Sequence, residues 1–363
     1  MLKNLLTILL CSCIPLLSQT QAAEVDKIKA MMQFEHETFL VWLAKEKGWD
    51  KELGLDIDLE VTEDAGLEIV AQFKKDHEVF NICGIGAVPT IIGCIDHSLE
   101  VVDIANDESA TNMIYVREDS DILKTKGWNK DFPYVYGSPE SIKGKMVFLK
   151  RMTHASYLFS KWLEMFNLDL SDVTVKSMNC SNALEAMDGG QGDIMGLWAP
   201  DAYIAEERNY KSVADLTVLK KVVPINFVAD AEFAKKNPKV VAKFIAAYLK
   251  AVDYQKQHGI GMAEDFIRFS KIYSPDGVPV SKTVAEKTIL NSIPYSYDEA
   301  IELFEKKNNG KSQAQQIHQD ITNFFILNGI LHFKISKHIK FCEYLNPEYL
   351  YQAKEYYKKL KNK

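Results

Sequence analysis

Three scarcities frame the reading of this 363-residue chain. Cysteine occurs six times, and two of those, Cys11 and Cys13, fall in an N-terminal apolar run. The remaining four, Cys83, Cys94, Cys180 and Cys342, form no CxxC pair and have no histidine at metal-ligand spacing. That excludes a zinc module or a dense disulfide framework, and buried free thiols are expected instead. Positive charge is also short: 43 Lys and Arg against 50 Asp and Glu leave a net charge of -7, the wrong sign for a nucleic-acid surface. After residue 22 no apolar run approaches the roughly 20 residues that cross a bilayer, and no Pro-, Gly- or Ser-rich linker divides the chain.

What is present begins with Met1-Leu2-Lys3-Asn4, then an apolar run from Leu5 to Leu17 and the small-residue pattern Thr20-Gln21-Ala22. This reads as an export signal cleaved after Ala22, placing the protein in the periplasm. Leu10-Cys11-Ser12-Cys13 also resembles a lipoprotein box. Lipidation at Cys13 is the alternative, although it would leave an apolar core of only about eight residues.

The strongest structural signal is a pattern that occurs twice. "IKAMMQFEHETFLVWLAKEKGW" gives a strand, the polar turn Glu35-His36-Glu37-Thr38 and a helix ended by Gly48. "GLDIDLEV", "GLEIVAQFKK" and "EVFNICGIGAVPTIIG" follow as strand, helix, and strand running into a glycine-rich turn. The second copy runs through "GKMVFLK", the turn Arg151-Met152-Thr153-His154, a helix to Asn167, "NLDLSDVTVKSM", "SNALEAMDGGQGD" and "IMGLWAPDAYIAEE". Each copy is a βαβαβ unit, hence a mostly parallel sheet flanked by helices. Ligands of such sheets sit beyond the carboxyl ends of the strands. Two facing units would gather four turns around one cleft: Glu35–Thr38, Cys83–Val88, Arg151–Ser156 and Leu197–Asp201.

"LEVVDIANDESATNMIYVRED" and "KKVVPINFVAD" read as crossovers between lobes. The expected division is a signal at 1-22, a first lobe at 23-108 plus 224-345, a second lobe at 109-223, and a solvated basic tail at 346-363.

"FLVWLAKEKGWDKELGLDIDLEV", the W-x-P turn in "DIMGLWAPDAYIAEE", the helix "NPKVVAKFIAAYLKAVDY" and the closing "ITNFFILNGIL…EYLNPEYL" together resemble periplasmic solute-binding proteins of the nitrate, sulfonate, taurine and thiamine-precursor group. The resemblance implies an α/β, two-lobed type II periplasmic binding protein fold, its lobes joined by two crossover strands. It further implies a monomer without cofactor or metal that closes on a small solute and delivers it to an ABC permease. Alternatives are a receptor for a thiamine-precursor pyrimidine, an enzyme of the same fold acting on a small heterocycle, and a sensory module. The yeast-type thiamine-pyrimidine synthases carry a dense cysteine cluster that is absent here.

Where relatives often have small residues, this chain has Glu35, His36 and Glu37. Paired acids in a poorly solvated cleft oppose a bare oxyanion. The expected ligand therefore places an amine or ring-nitrogen donor towards Glu35 and Glu37, and an acceptor or acid group towards Thr153 and Ser156, where Lys150, Arg151 and a helix N-terminus favour negative charge. His36 and His154 are candidate pocket donors, or plain loop histidines. Thr38 reads equally as an N-cap. Gly84 and Gly86 permit close backbone approach, Trp198 offers an indole for stacking, and Asp201 is a cap before it is a contact. Asn106, Asp107 and Glu108 sit at a crossover that faces either cleft or solvent, and Tyr295 and Tyr297 are weaker pocket candidates. Trp42, Trp49 and Trp162 fall at helical spacing and belong to the core. Cys83 and His36 lie on facing turns, but no third orienting group completes a nucleophilic set.

Overall fold

The computed structural model describes residues 25–275, 277–307, 310–327, 331 and 337–362; the expected export signal and its cleavage point lie outside them. Eleven described strands run β1 (Asp26–Gln33), β2 (Leu55–Thr62), β3 (Ile82–Gly86), β4 (Leu99–Asp107), β5 (Asn112–Val116), β6 (Met146–Leu149), β7 (Thr174–Ser177), β8 (Ile194–Trp198), β9 (Lys211–Asp215), β10 (Pro224–Asp230) and β11 (Ile293–Pro294). They form two sheets, ordered β11-β4-β10-β3-β1-β2 and β7-β6-β8-β5-β9.

The duplication is visible in the strand order. β1 lies between β2 and β3, and β6 between β7 and β8, with all four pairings parallel. Each sheet then takes in one antiparallel strand beside its third member: β10 next to β3, and β5 next to β8. A parallel strand must be reached by a crossover helix, which is why the apolar segments between strands carry helical spacing. Helix His36–Glu46 buries Phe39, Leu40, Trp42 and Leu43, and helix His154–Glu164 buries Tyr157, Leu158, Phe159, Trp162 and Leu163. Trp42 and Trp162 are core residues as expected, whereas Trp49 is half-buried against Tyr254.

The chain passes between sheets twice, from Asp107 to Asn112 and from Asp215 to Pro224. These crossings are laced together. Glu108 N–H donates to the Val223 carbonyl (3.0 Å), and Val223 N–H donates to Ser109 Oγ (3.3 Å). Asp107 Oδ1 accepts from both the amide (2.8 Å) and hydroxyl (2.5 Å) of Ser109, fixing the turn between β4 and β5.

The expected solvated tail is instead helix Glu348–Lys361, packed along helix Pro238–His258. Tyr349, Leu350, Ala353, Tyr357 and Leu360 are buried beneath its lysines, and Tyr357 donates to Asp253 Oδ2 at 2.7 Å. The apolar residues recur every three or four positions, so one face has something to bury despite the charge.

Candidate functional site

At the carboxyl end of β1, Glu35 adopts the extended N-cap conformation of helix His36–Glu46 but makes no side-chain cap bond. Its carboxylate turns instead to the gap between the sheets and accepts from Gln33 Nε2 at 2.9 Å. Thr38 is not the cap. It lies inside the helix, and its hydroxyl donates to the Gln33 carbonyl at 2.6 Å, holding the turn that presents Glu35.

Across the gap, helix His154–Glu164 starts with a capping box. Thr153 Oγ1 accepts from the Ser156 amide (3.3 Å) and donates to the Lys150 carbonyl (2.8 Å), while Ser156 Oγ accepts from the Thr153 amide (3.0 Å) and donates to its carbonyl (2.8 Å). Both hydroxyls, expected to face an acceptor group on the ligand, are occupied within the turn. They serve to fix His154, the first residue of the helix.

His154 bridges the lobes. Its Nε2 lies 2.9 Å from the Ala87 amide, which can only donate, so this nitrogen carries a lone pair. The ring proton is therefore on Nδ1 and donates to Glu108 Oε2 at 3.0 Å. The imidazole also fits against Gly86: a Cβ there would stand 2.7 Å from ring atoms. Only glycine lets the two lobes meet here. A second bridge, Lys150 Nζ to Glu68 Oε1 at 2.5 Å, joins them nearby.

Behind His154 the carboxylates of Glu35, Glu37 and Glu108 come within 4.8 Å of one another, all buried. That is close enough for the three to share one cation. Burial, then the charges of Glu108 and Glu37, holds the Glu35 carboxyl well above the usual range; burial and then Glu108 raise Glu37 to about 8. Glu37 Oε2 has no hydrogen-bond partner, nor has either side-chain polar atom of Asn106. Cross-strand pairing sets Asn106 opposite Ile225, which lines the cavity.

The cavity takes its walls from both lobes: Glu35, Gly86, Glu108, Thr153, His154 and Trp198 among them. Each of the four anticipated turns contributes a residue to this cavity or the next. The adjoining chamber shares Gln33 and Trp198 and adds Thr62, Asn179, Cys180 and Asp201. No lysine or arginine lines either chamber among the described residues.

Other candidates fall elsewhere. His36 is buried inside the first lobe, its Nε2 2.6 Å from Gln255 Oε1 and its pKa lowered to about 4 by burial. Cys83 is buried in β3, and burial pushes its thiol upward; no Cys83–His36 pair forms. Gly84 backs onto the Glu37 carboxylate, Asp107 is occupied with Ser109, and Arg151 is exposed, its amide on Ser177 Oγ. Tyr297 is buried against Tyr357, and Tyr295 lines neither chamber. The four described cysteines are free and buried. Gln33, Gly66, Pro89, Asn112 and Ile225 join the cavity unforeseen. Two polar residues beside strand ends, Gln33 and Asn112, were the only such signal in the sequence.

Residues 133–259 match the NMT1/THI5-like family model. A Brachyspira hyodysenteriae protein named as an ABC transporter periplasmic binding protein is 31% identical over 153 residues, 42% of this chain and 44% of that protein, so the match spans under half its length. The Saccharomyces cerevisiae 4-amino-5-hydroxymethyl-2-methylpyrimidine phosphate synthase THI11 is 25% identical over 67% of this chain and 71% of its own. Among solved structures, the alkanesulfonate-binding protein SsuA of Xanthomonas axonopodis pv. citri superposes with a TM-score of 0.67 at 15% identity, covering 90% of this chain and 99% of that one. The periplasmic nitrate-binding protein NrtA of Synechocystis PCC 6803 gives 0.66 at 12% identity over 93% and 89%. The desulfurization enzyme DSZB shares the fold as well, at a TM-score of 0.58. Two duplicated sheets, laced crossovers and a cavity at their strand tips thus give this chain the type II periplasmic binding protein fold, and its central segment matches the NMT1/THI5-like family model.

Proposed function

We propose that the protein is the exported substrate-binding component of an ABC importer, which encloses a small polar organic solute between its lobes and hands it to a membrane permease. The observation that carries this reading is the convergence of strand-tip turns from both lobes on one cavity, spanned by His154. The Brachyspira relative's name supports it. Sulfonate and nitrate, named for the structural neighbours, suit this cavity poorly, since Glu35 and Glu108 face it and no lysine or arginine among the described residues does.

The protein acts as a receptor and not as an enzyme. Cys83 is a buried thiol without a base, and His154 has both nitrogens committed. A second reading, a receptor for a thiamine-precursor pyrimidine, draws on the family match over residues 133–259 and on Trp198 at the junction of the two chambers.

Native mass spectrometry of the purified protein, followed by a thermal-shift screen of amines, pyrimidines, amino acids and sulfonates, tests the proposal. A true ligand at about 100 times its Kd stabilises the folded state by about 2.7 kcal/mol. It is recovered with its mass unchanged; a changed mass would indicate an enzyme. A screen with no response in any class would remove the receptor reading.

A further inference from the structure

The three buried carboxylates call for a specific partner. Like charges this close in a site shut off from water cannot all remain ionised without a cation. Among the described residues the surroundings offer none. His154 faces the cluster as a neutral hydrogen-bond donor; Asp201 and Cys180 approach Glu35, and Tyr248 approaches Glu37. Gln33 and Thr38 give Glu35 and Glu37 neutral contacts only.

Independent of charge, the site holds unused hydrogen-bonding capacity. Glu37 Oε2 and both side-chain atoms of Asn106 are fully buried and unpartnered, an arrangement that costs stability unless something fills it. The opposite walls are apolar, with Pro89, Ile225 and Trp198 lining the same cavity. A bare metal ion would satisfy the carboxylates but leave those walls facing empty space. An organic cation satisfies both, its charged end among the oxygens and its body against indole and aliphatic surface.

Building on the receptor reading, we infer that the solute is a small organic cation, an ammonium or amidinium compound, whose charged group sits among Glu35, Glu37 and Glu108. Its arrival displaces a proton that Glu35 or Glu37 holds in its absence. The proton leaves to solvent and the ligand's charge takes its place, so capture is linked to pH and strengthens as pH rises.

Isothermal titration of the purified protein tests this, using putrescine, agmatine, choline and 4-aminopyrimidine beside taurine, nitrate, uracil, calcium and manganese. Each is run in phosphate and in Tris at one pH. At least one organic cation should bind with a heat that differs between buffers by about one proton's worth of ionisation per ligand. E37Q and E108Q should each weaken it roughly tenfold or more, as expected on losing a charge-assisted contact. The buffer comparison needs no variant, so a misfolded mutant leaves the test intact. Tight binding confined to anions, neutral solutes or the divalent metals would overturn the inference while leaving the receptor reading standing, as would a cation whose heat ignores the buffer. If no compound of any class binds, both fall.

Discussion

Glu37→Gln offers a direct test of the site's electrostatics. Glu37 is fully buried, with its carboxylate against Gly84 and near Glu35 and Glu108. A solvated glutamate titrates near 4.5, whereas burial and then Glu108 raise this one to about 8. Below the lower value both folded and unfolded chains hold the proton, and the group contributes nothing to pH dependence. Between them the unfolded chain releases the proton while the folded chain keeps it, so stability falls as pH rises; above about 8 the loss is complete. At about 1.36 kcal/mol per pH unit, that interval amounts to on the order of 5 kcal/mol. Glutamine keeps the shape without the titration. In scanning calorimetry of the ligand-free protein, E37Q should match the parent within a few degrees at pH 5 and melt above it at pH 8. The gap at pH 8 should reach roughly 10 °C, at the 2 °C or so per kcal/mol expected for a chain this long. Melting curves for the two proteins that run parallel from pH 5 to pH 8 would refute the reasoning.

Three further outcomes follow from packing. Gly86→Ala would drive a methyl to within 2.7 Å of the His154 ring, so the lobes should stand apart, with a larger radius of gyration in small-angle scattering and ligand affinity reduced roughly tenfold or more. An unchanged radius would show that closure does not pass through this contact. Deleting residues 348–363 removes Tyr349, Leu350, Ala353, Tyr357 and Leu360 from their packing along helix Pro238–His258; loss of several buried side chains at about 1.5–3 kcal/mol each should leave the first lobe aggregating or unfolded at 37 °C, checked by circular dichroism. Native protein lacking residues 1–22 should show no thiol that reacts quickly with Ellman's reagent and four after unfolding, because Cys83, Cys94, Cys180 and Cys342 are all buried and free.

The duplicated βαβαβ pattern was legible because parallel pairing requires intervening helices, and those have a periodicity that can be read from apolar residues alone. His154 and Trp198 were legible by position, the first at the start of the helix that follows β6 and the second at the end of β8. The roles of Thr153 and Ser156 were not. A hydroxyl at a helix start can serve the helix or a ligand, and here the nearer backbone groups took both. His36 sits beside two cleft acids in sequence, yet one helical step turns it inward to Gln255. Glu108 was visible only as part of a crossover, because its part in the cavity depends on how β4 and β5 are laced to Val223. The closing helix was masked by composition: lysines dominate the run, while the buried residues show only in their spacing.

Glu108 has one further consequence. Its backbone belongs to the laced crossings and its carboxylate to the cavity, so swinging the two lobes apart would carry an acidic wall away from its companions. On the receptor reading proposed above, release would be less like lifting a lid from a box than like taking the box to pieces: the affinity would exist only in the shut form, and prying the lobes open would abolish it in the same stroke.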